Sequence, residues 1–199
     1  MWRATGRMDR TIIAVASGKG GTGKTTVATN LARVASIQGL EVSYLDCDVE
    51  EPNGHIFLKP EIKITAPVCA SVPVVDEGKC TACGKCKEIC QYSAIALLGK
   101  IILTFPNLCH ACGGCKLVCP IGAITETGRE MGIIEEGIAD GVRFVHGKLR
   151  IGEAMSPPLI REVRKRISDS GLSIIDAPPG TSCPVIQSVR GSDLSLIHI

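Results

Sequence analysis

Gly18-Lys19-Gly20-Gly21-Thr22-Gly23-Lys24-Thr25, continued by Thr26, decides how the rest of this 199-residue chain is read. The run satisfies G-x-x-x-x-G-K-[ST], a loop whose backbone N–H groups turn inward around phosphate oxygens. Its context fits. Residues 11–16 are a short, β-branched apolar run, which predicts a buried strand before the loop. Val27, Leu31 and Val34 recur at helical spacing after it, with Gly39 as a stop. A helix N-terminus then faces the bound anion. Lys24 is placed for the β- and γ-phosphates and Thr25 for Mg²⁺. A glycine turn with a purely structural role is the alternative.

Outward from the loop, residues 42–45 read as a second strand ending at Asp46 and Asp48. Strand, loop, helix and strand in this order open a parallel α/β sheet. Pro67 and Pro73 then flank a connector. Past residue 130 the α/β texture returns. Residues 142–152 read as two short strands around a His146-Gly147 turn. Ser156 and Pro157 start a helix with Ile160, Val163 and Ile167 on one face. Residues 172–175 form a short buried strand running into Asp176-Ala177-Pro178-Pro179-Gly180. Residues 1–10 read as a loose leader, with Met8 as an alternative start.

Between these halves lies a different texture. Eight of the 11 cysteines fall between Cys80 and Cys119. Without a secretory signal, a metal or redox site is the better reading than a disulfide framework. Residues 80–95 repeat at 109–124, an offset of 29, with 9 of 16 positions identical and all four cysteines among them. Each copy has the C-x2-C-x2-C-x3-C run of bacterial ferredoxins, whose fourth cysteine serves the other cluster. The spacing therefore assigns Cys80, Cys83, Cys86 and Cys119 to one [4Fe–4S] cluster, and Cys109, Cys112, Cys115 and Cys90 to a second. Paired zinc sites are the alternative. One departure stands out: Cys119 is followed by Pro120, but Cys90 by Gln91, whose extra N–H makes the two clusters unequal in potential. His110 reads as a solvated loop residue, or else as a tuner of the second cluster. Cys47 and Cys69 read as core cysteines, and His55 and His146 carry no assigned role.

Composition narrows the function classes. A formal charge of +2 gives no case for bulk nucleic-acid or membrane-surface binding. No apolar run approaches the roughly 18 residues of a membrane span. Residues 161–166 are basic but lie on the polar face of a predicted helix, so DNA contact is the minority reading.

Lys19, in Gly-Lys-Gly-Gly-Thr-Gly-Lys-Thr-Thr, resembles the early lysine of the MinD/ParA/Mrp and nitrogenase-iron-protein superfamily of P-loop ATPases. Asp46-Cys47-Asp48 resembles the first switch of that family, and Asp176 with Gly180 its Walker B and second switch. With the cysteine repeat, the chain resembles those members that carry an inserted ferredoxin domain. The resemblance implies an α/β fold, a mostly parallel sheet with helices on both faces. The P-loop domain would be discontinuous at 11–70 and 129–199, with a two-cluster module at 71–128. It implies a cytoplasmic protein that binds and hydrolyses ATP in a homodimer closed around nucleotide. Lys19 would reach across the dimer, Asp48 would act on the attacking water, Thr25, Asp46 and Asp176 would serve Mg²⁺, and Gly180 would sense the γ-phosphate. Cys183 would be a small buried thiol near the dimer face, or a ligand of a bridging cluster. The expected partner is a redox protein or an Fe–S acceptor, with no membrane or nucleic acid. The family's alternatives stay open: a cluster carrier or assembly ATPase, or a positioning switch. Residues 193–199 depart from the family strand expected there and resemble sequencing-adapter read-through in a truncated frame, although their strand propensity also fits a real strand.

Overall fold

The computed structural model describes residues 9–198, so the suggested start at Met8 and most of the leader lie outside the described residues. Contacts divide the chain into two units. Among the described residues, one comprises 9–68, 132–150 and 156–198; the other comprises 69–131 with 151–155.

The first unit is an α/β fold built on β1 (Thr11–Ser17), α1 (Lys24–Ile37), β2 (Val42–Asp46), α2 (Gly54–Leu58), the first half of β3 (Glu61–Val75), the second half of β6 (Ile124–Ala139), β7 (Val142–Leu149), α5 (Pro157–Arg164), β8 (Leu172–Pro179), α6 (Cys183–Val189) and β9 (Leu194–His198). The sheet order is β3-β6-β7-β2-β8-β1-β9. From β7 through β9 every pairing is parallel, and β6 joins β7 antiparallel. Alternation along the strands sends Val15, Tyr44, Phe144 and Ile174 to the α1 face, and Ala16 and Ala177 to the α6 face. Helices therefore cover both faces, as the sequence implies.

Several local expectations are corrected. The buried face of α1 is Ala28, Thr29, Ala32 and Ala35, whereas Val27 and Val34 are about half exposed. Small residues let the helix lie close on the sheet, and of the expected stripe Leu31 packs partly against the core while Val27 and Val34 do not. The His146-Gly147 turn does not form, because both residues lie inside the continuous strand β7. Gly147 is there for packing: a Cβ would sit 2.8 Å from Val49 and 3.0 Å from Val163, so only glycine lets those side chains approach. Pro67 and Pro73 do not flank a loop but lie within β3, which as the end strand of the sheet needs fewer backbone donors. Residues 194–198 realise their strand propensity as β9. Asp193 anchors it, accepting the Ile12 N–H at 2.8 Å and donating its own N–H to the Ile12 carbonyl.

The second unit contains α3 (Lys85–Ile89), the antiparallel pair β4 (Ile95–Leu98) and β5 (Ile101–Thr104), and α4 (Gly114–Leu117). Its core gathers Cys86, Ile95, Ile102 and Ile124, with Cys80, Cys90, Cys115 and Cys119 against it. The repeat is written in the backbone as well. Left-handed residues recur 29 apart at Ala82 and Ala111 (φ 54 and 53), Gly84 and Gly113 (81 and 72), and Ser93 and Gly122 (53 and 61). Residues 151–155 complete this unit. Glu153 pairs with Arg129 at 2.5 Å, and their side chains are 3% and 14% exposed.

Candidate functional site

The loop after β1 is shaped by Gly21 (φ 72) and Gly23 (φ 86), left-handed conformations that glycine adopts without strain. Added Cβ atoms at Gly18, Gly20, Gly21 and Gly23 would meet nothing within 4 Å, so the face of the loop is open. The Ser17 hydroxyl donates to the Lys19 carbonyl at 2.5 Å, which fixes the loop's first turn and leaves the Lys19 side chain exposed. Lys24 and Thr25 begin α1, as the motif requires. A cavity of about 540 Å³ opens in front, lined by Gly20, Gly21 and the run from Gly23 to Thr26, by Asp48 and by Pro179.

Three acidic residues meet behind it. Asp46 and Asp176 are register partners on β2 and β8, both buried. Asp176 Oδ2 accepts the Tyr44 hydroxyl at 2.9 Å, while Asp176 Oδ1 is buried with no partner among the described residues. That orphaned oxygen leaves room for a hydrated cation. Burial raises the Asp176 carboxyl, and Thr25, Tyr44 and Lys24 oppose the rise. Burial and the Asp176 charge push Asp46 well above the carboxylate range. Asp46 spends both oxygens on its own loop, accepting the Asp48 N–H at 3.1 Å and the Gly54 N–H at 2.9 Å. Asp48 faces the cavity and is pushed up to about 6 by burial and by Asp176, with Lys24 pulling it down. Gly180 donates its N–H to the Ser17 carbonyl at 2.9 Å, a latch between the segment after β8 and the strand before the loop.

Sequence reasoning missed Tyr44, although its position two residues before Asp46 on a strand puts both on one face. It also missed a polar row in register across β8, β2, β7 and β6: Asp176, Asp46, His146 and Glu135. His146 is 1% exposed, with Nε2 2.7 Å from Glu135 Oε2 and its ring edge-on to His55. Burial holds its pKa down, so it is a neutral packing partner of the switch segment. Gly54 sits under that segment with no room to spare. A Cβ there would lie 2.3 Å from the Tyr44 hydroxyl, and Tyr44 is locked by stacking on Phe144. Gly54→Ala is expected to cost about 1–3 kcal/mol in urea denaturation, the usual scale of overpacking. An unchanged midpoint would show that Tyr44 yields.

In the cysteine-rich unit, one cavity is lined by Cys80, Cys83, Cys86 and Cys119, and another by Cys90, Cys109, Cys112 and Cys115. Amide N–H groups of Ala82, Ala111 and Ala123 point at the sulfurs of Cys80, Cys109 and Cys119 at 3.2–3.4 Å. Burial pushes up the Cys86 and Cys115 thiols, the third cysteine of each run. Among the described residues, no three His, Cys, Asp or Glu side chains converge tightly enough to grip a single metal ion. The remaining cysteines divide. Cys47 is buried in the core, but Cys69 and Cys183 are exposed, which corrects the core reading of Cys69 and the buried reading of Cys183. Cys183 lies at the first turn of α6, which turns it outward.

Comparison with known proteins supports the nucleotide-binding reading. The family described as CobQ/CobB/MinD/ParA nucleotide binding domain matches residues 13–177. An uncharacterized protein of Methanocaldococcus jannaschii is 40% identical over 186 residues, 92% of this chain and 65% of that protein. A second from the same organism is 29% identical over 94% of this chain and 68% of its own length. This chain thus spans about two thirds of the length of these relatives. A 59-residue stretch is 50% identical to an iron–sulfur cluster carrier protein of Haemophilus influenzae, covering 29% of this chain and 16% of the carrier. Among solved structures, the septum site-determining protein MinD of Pyrococcus horikoshii, complexed with Mg-ADP, aligns over 94% of this chain and 57% of its own. It does so at 16% identity and a TM-score of 0.47. No helix among the described residues is long and apolar enough to cross a membrane. With residues 13–177 matched and a phosphate loop in place at the head of α1, the chain belongs to the CobQ/CobB/MinD/ParA family of nucleotide-binding domains.

Proposed function

We propose that this protein is a cytoplasmic Mg-ATPase that couples nucleotide-driven dimer switching to electron transfer through two [4Fe–4S] clusters. The observation that carries the redox half is the sorting of eight cysteines into two cavities, each lined by three from one run and the fourth from the other. Each cluster, when bound, supplies a one-electron store. Cys80, Cys83, Cys86 and Cys119 would hold one, and Cys90, Cys109, Cys112 and Cys115 the other.

At the nucleotide, the backbone from Gly18 to Gly23 and the side chain of Lys24 bind the phosphates. Thr25 and Asp176 hold Mg²⁺. Asp46 serves from behind by fixing the loop that carries Asp48, and Asp48 orients the attacking water. Lys19, free at the loop's edge, reaches a second copy of the chain. Gly180 must release the Ser17 carbonyl before its N–H can meet a γ-phosphate, so nucleotide opens the latch described above. The redox partner is a protein that accepts or donates single electrons.

Asp48 gives this scheme a pH signature. Lys24 already acts on Asp48 in the free protein; the cation that arrives with the nucleotide favours its carboxylate further, so binding of MgATP releases protons wherever Asp48 is protonated in the free protein. With Asp48 at about 6, affinity for MgATP is expected to rise from about pH 5 to 7 and level off above. Calorimetric titration in two buffers of different ionisation enthalpy measures the released protons. Asp48→Asn should flatten the profile, and an unchanged slope would remove Asp48 from this role.

The test of the whole reading is anaerobic EPR of iron-loaded protein with and without MgATP. The expected result is about eight irons per chain and a cluster spectrum or potential that moves with nucleotide. A second reading, a cluster carrier or assembly ATPase, is favoured by the partial match to carrier proteins. Transfer of iron and sulfide to an apo-acceptor at the turnover rate would select it over the relay.

A further inference from the structure

The repeat places two residues at equivalent positions beside each quartet. Next to Cys80, Cys83, Cys86 and Cys119 they are Thr81 and Ile121, and next to Cys90, Cys109, Cys112 and Cys115 they are His110 and Tyr92. Only the second pair interacts through rings. Tyr92 and His110 lie flat on each other, with centroids 3.5 Å apart and planes 8° from parallel. The stack bridges the two chain segments that this site must bring together, because Tyr92 follows Cys90 by two residues and His110 follows Cys109 directly.

A second difference falls on the same site. Pro120 after Cys119 has a fixed φ and confines the preceding cysteine to extended backbone. Cys90 has no such neighbour, since Gln91 stands there, yet its backbone is extended at φ −76 and ψ 102. Something other than a proline ring holds the remote ligand of the second quartet.

We infer that the Tyr92–His110 stack is a positioning clasp for Cys90, performing through side chains the task that Pro120 performs for Cys119 through the backbone. Neither residue ligates iron. This inference rests on the two-cluster reading above. It makes the two sites unequal in how they retain iron, and it explains why the aromatic pair and the missing proline occur at one site together.

The test is release of iron from the loaded full chain to excess ferrous chelator under anaerobic conditions, with EPR on the protein that remains. Tyr92→Ile with His110→Thr installs the residues that the other site carries. Four of about eight irons should then leave about tenfold faster, the scale on which supporting groups govern metal retention. Adding Gln91→Pro should restore the original rate, a rescue that general loosening of the fold would not show. Loading of only about four irons is the limit of the same effect, and Gln91→Pro must then restore loading. His110→Thr alone removes the stack with a smaller change and should give the same fast phase if the double variant does not fold. Unchanged release, or fast release that Gln91→Pro leaves fast, overturns the clasp. Unmodified protein with fewer than about eight irons overturns the two-cluster reading instead, before any variant is made.

Discussion

Lys24→Ala should reduce ATP hydrolysis by about 10²–10³-fold, the loss seen when one donor to a developing oxyanion is removed. The residue opens α1 next to Gly23, on a helix whose buried face is made by Ala28, Thr29, Ala32 and Ala35. Alanine suits that position, so urea midpoints should hardly move. The substitution has a second consequence. Lys24 is the cation that draws the Asp48 and Asp176 carboxyls down against burial. Without it Asp48 should titrate above its present value, and residual MgATP binding should shift to higher pH. Lys19→Ala offers the contrast. Its side chain is exposed at the loop's edge, so nucleotide binding by one chain should persist while hydrolysis and its dependence on protein concentration fall. Equal nucleotide-binding losses in both variants would place Lys19 in its own chain's site.

Cys90→Ser should empty the site built on Cys109, Cys112 and Cys115, although Cys90 belongs by sequence to the other run. Iron should fall from about eight to about four per chain. The pairing of variants is more telling than the single loss. Cys90→Ser combined with Cys109→Ser should lose no more iron than either alone, because both lie on one cavity. Cys90→Ser combined with Cys80→Ser should lose nearly all of it, because they lie on two. The reverse pattern would mean that each run keeps its own fourth cysteine.

What the sequence made legible follows the range of the interactions. The phosphate loop and the strand and helix around it are local, and all three form where the glycines and apolar spacing put them. The two cysteine-lined cavities follow the 29-residue repeat, because duplication carries its own alignment. Interactions set by distant partners were not legible. Val27 and Val34 look like a packing stripe until a sheet is present against which Ala28, Thr29, Ala32 and Ala35 pack instead. Gly147 reads as a turn residue until Leu159 and Val163 arrive beside it from α5. The Asp176, Asp46, His146 and Glu135 row depends on the register of four strands, which no short stretch encodes. The Tyr92–His110 stack was hidden for a similar reason, since its members are 18 positions apart in sequence.

The Arg129–Glu153 pair bears on how the protein is made. Removing one partner of this half-buried pair leaves the other charge unpaired, so the cysteine-rich unit remains incomplete until residue 153 has been synthesised and docked. The stretch between Cys80 and Cys119 is therefore not a portable cassette. During translation all eight of its thiols leave the ribosome ahead of the segment that closes their unit, and grafting it into another protein would require carrying the distant pentapeptide along.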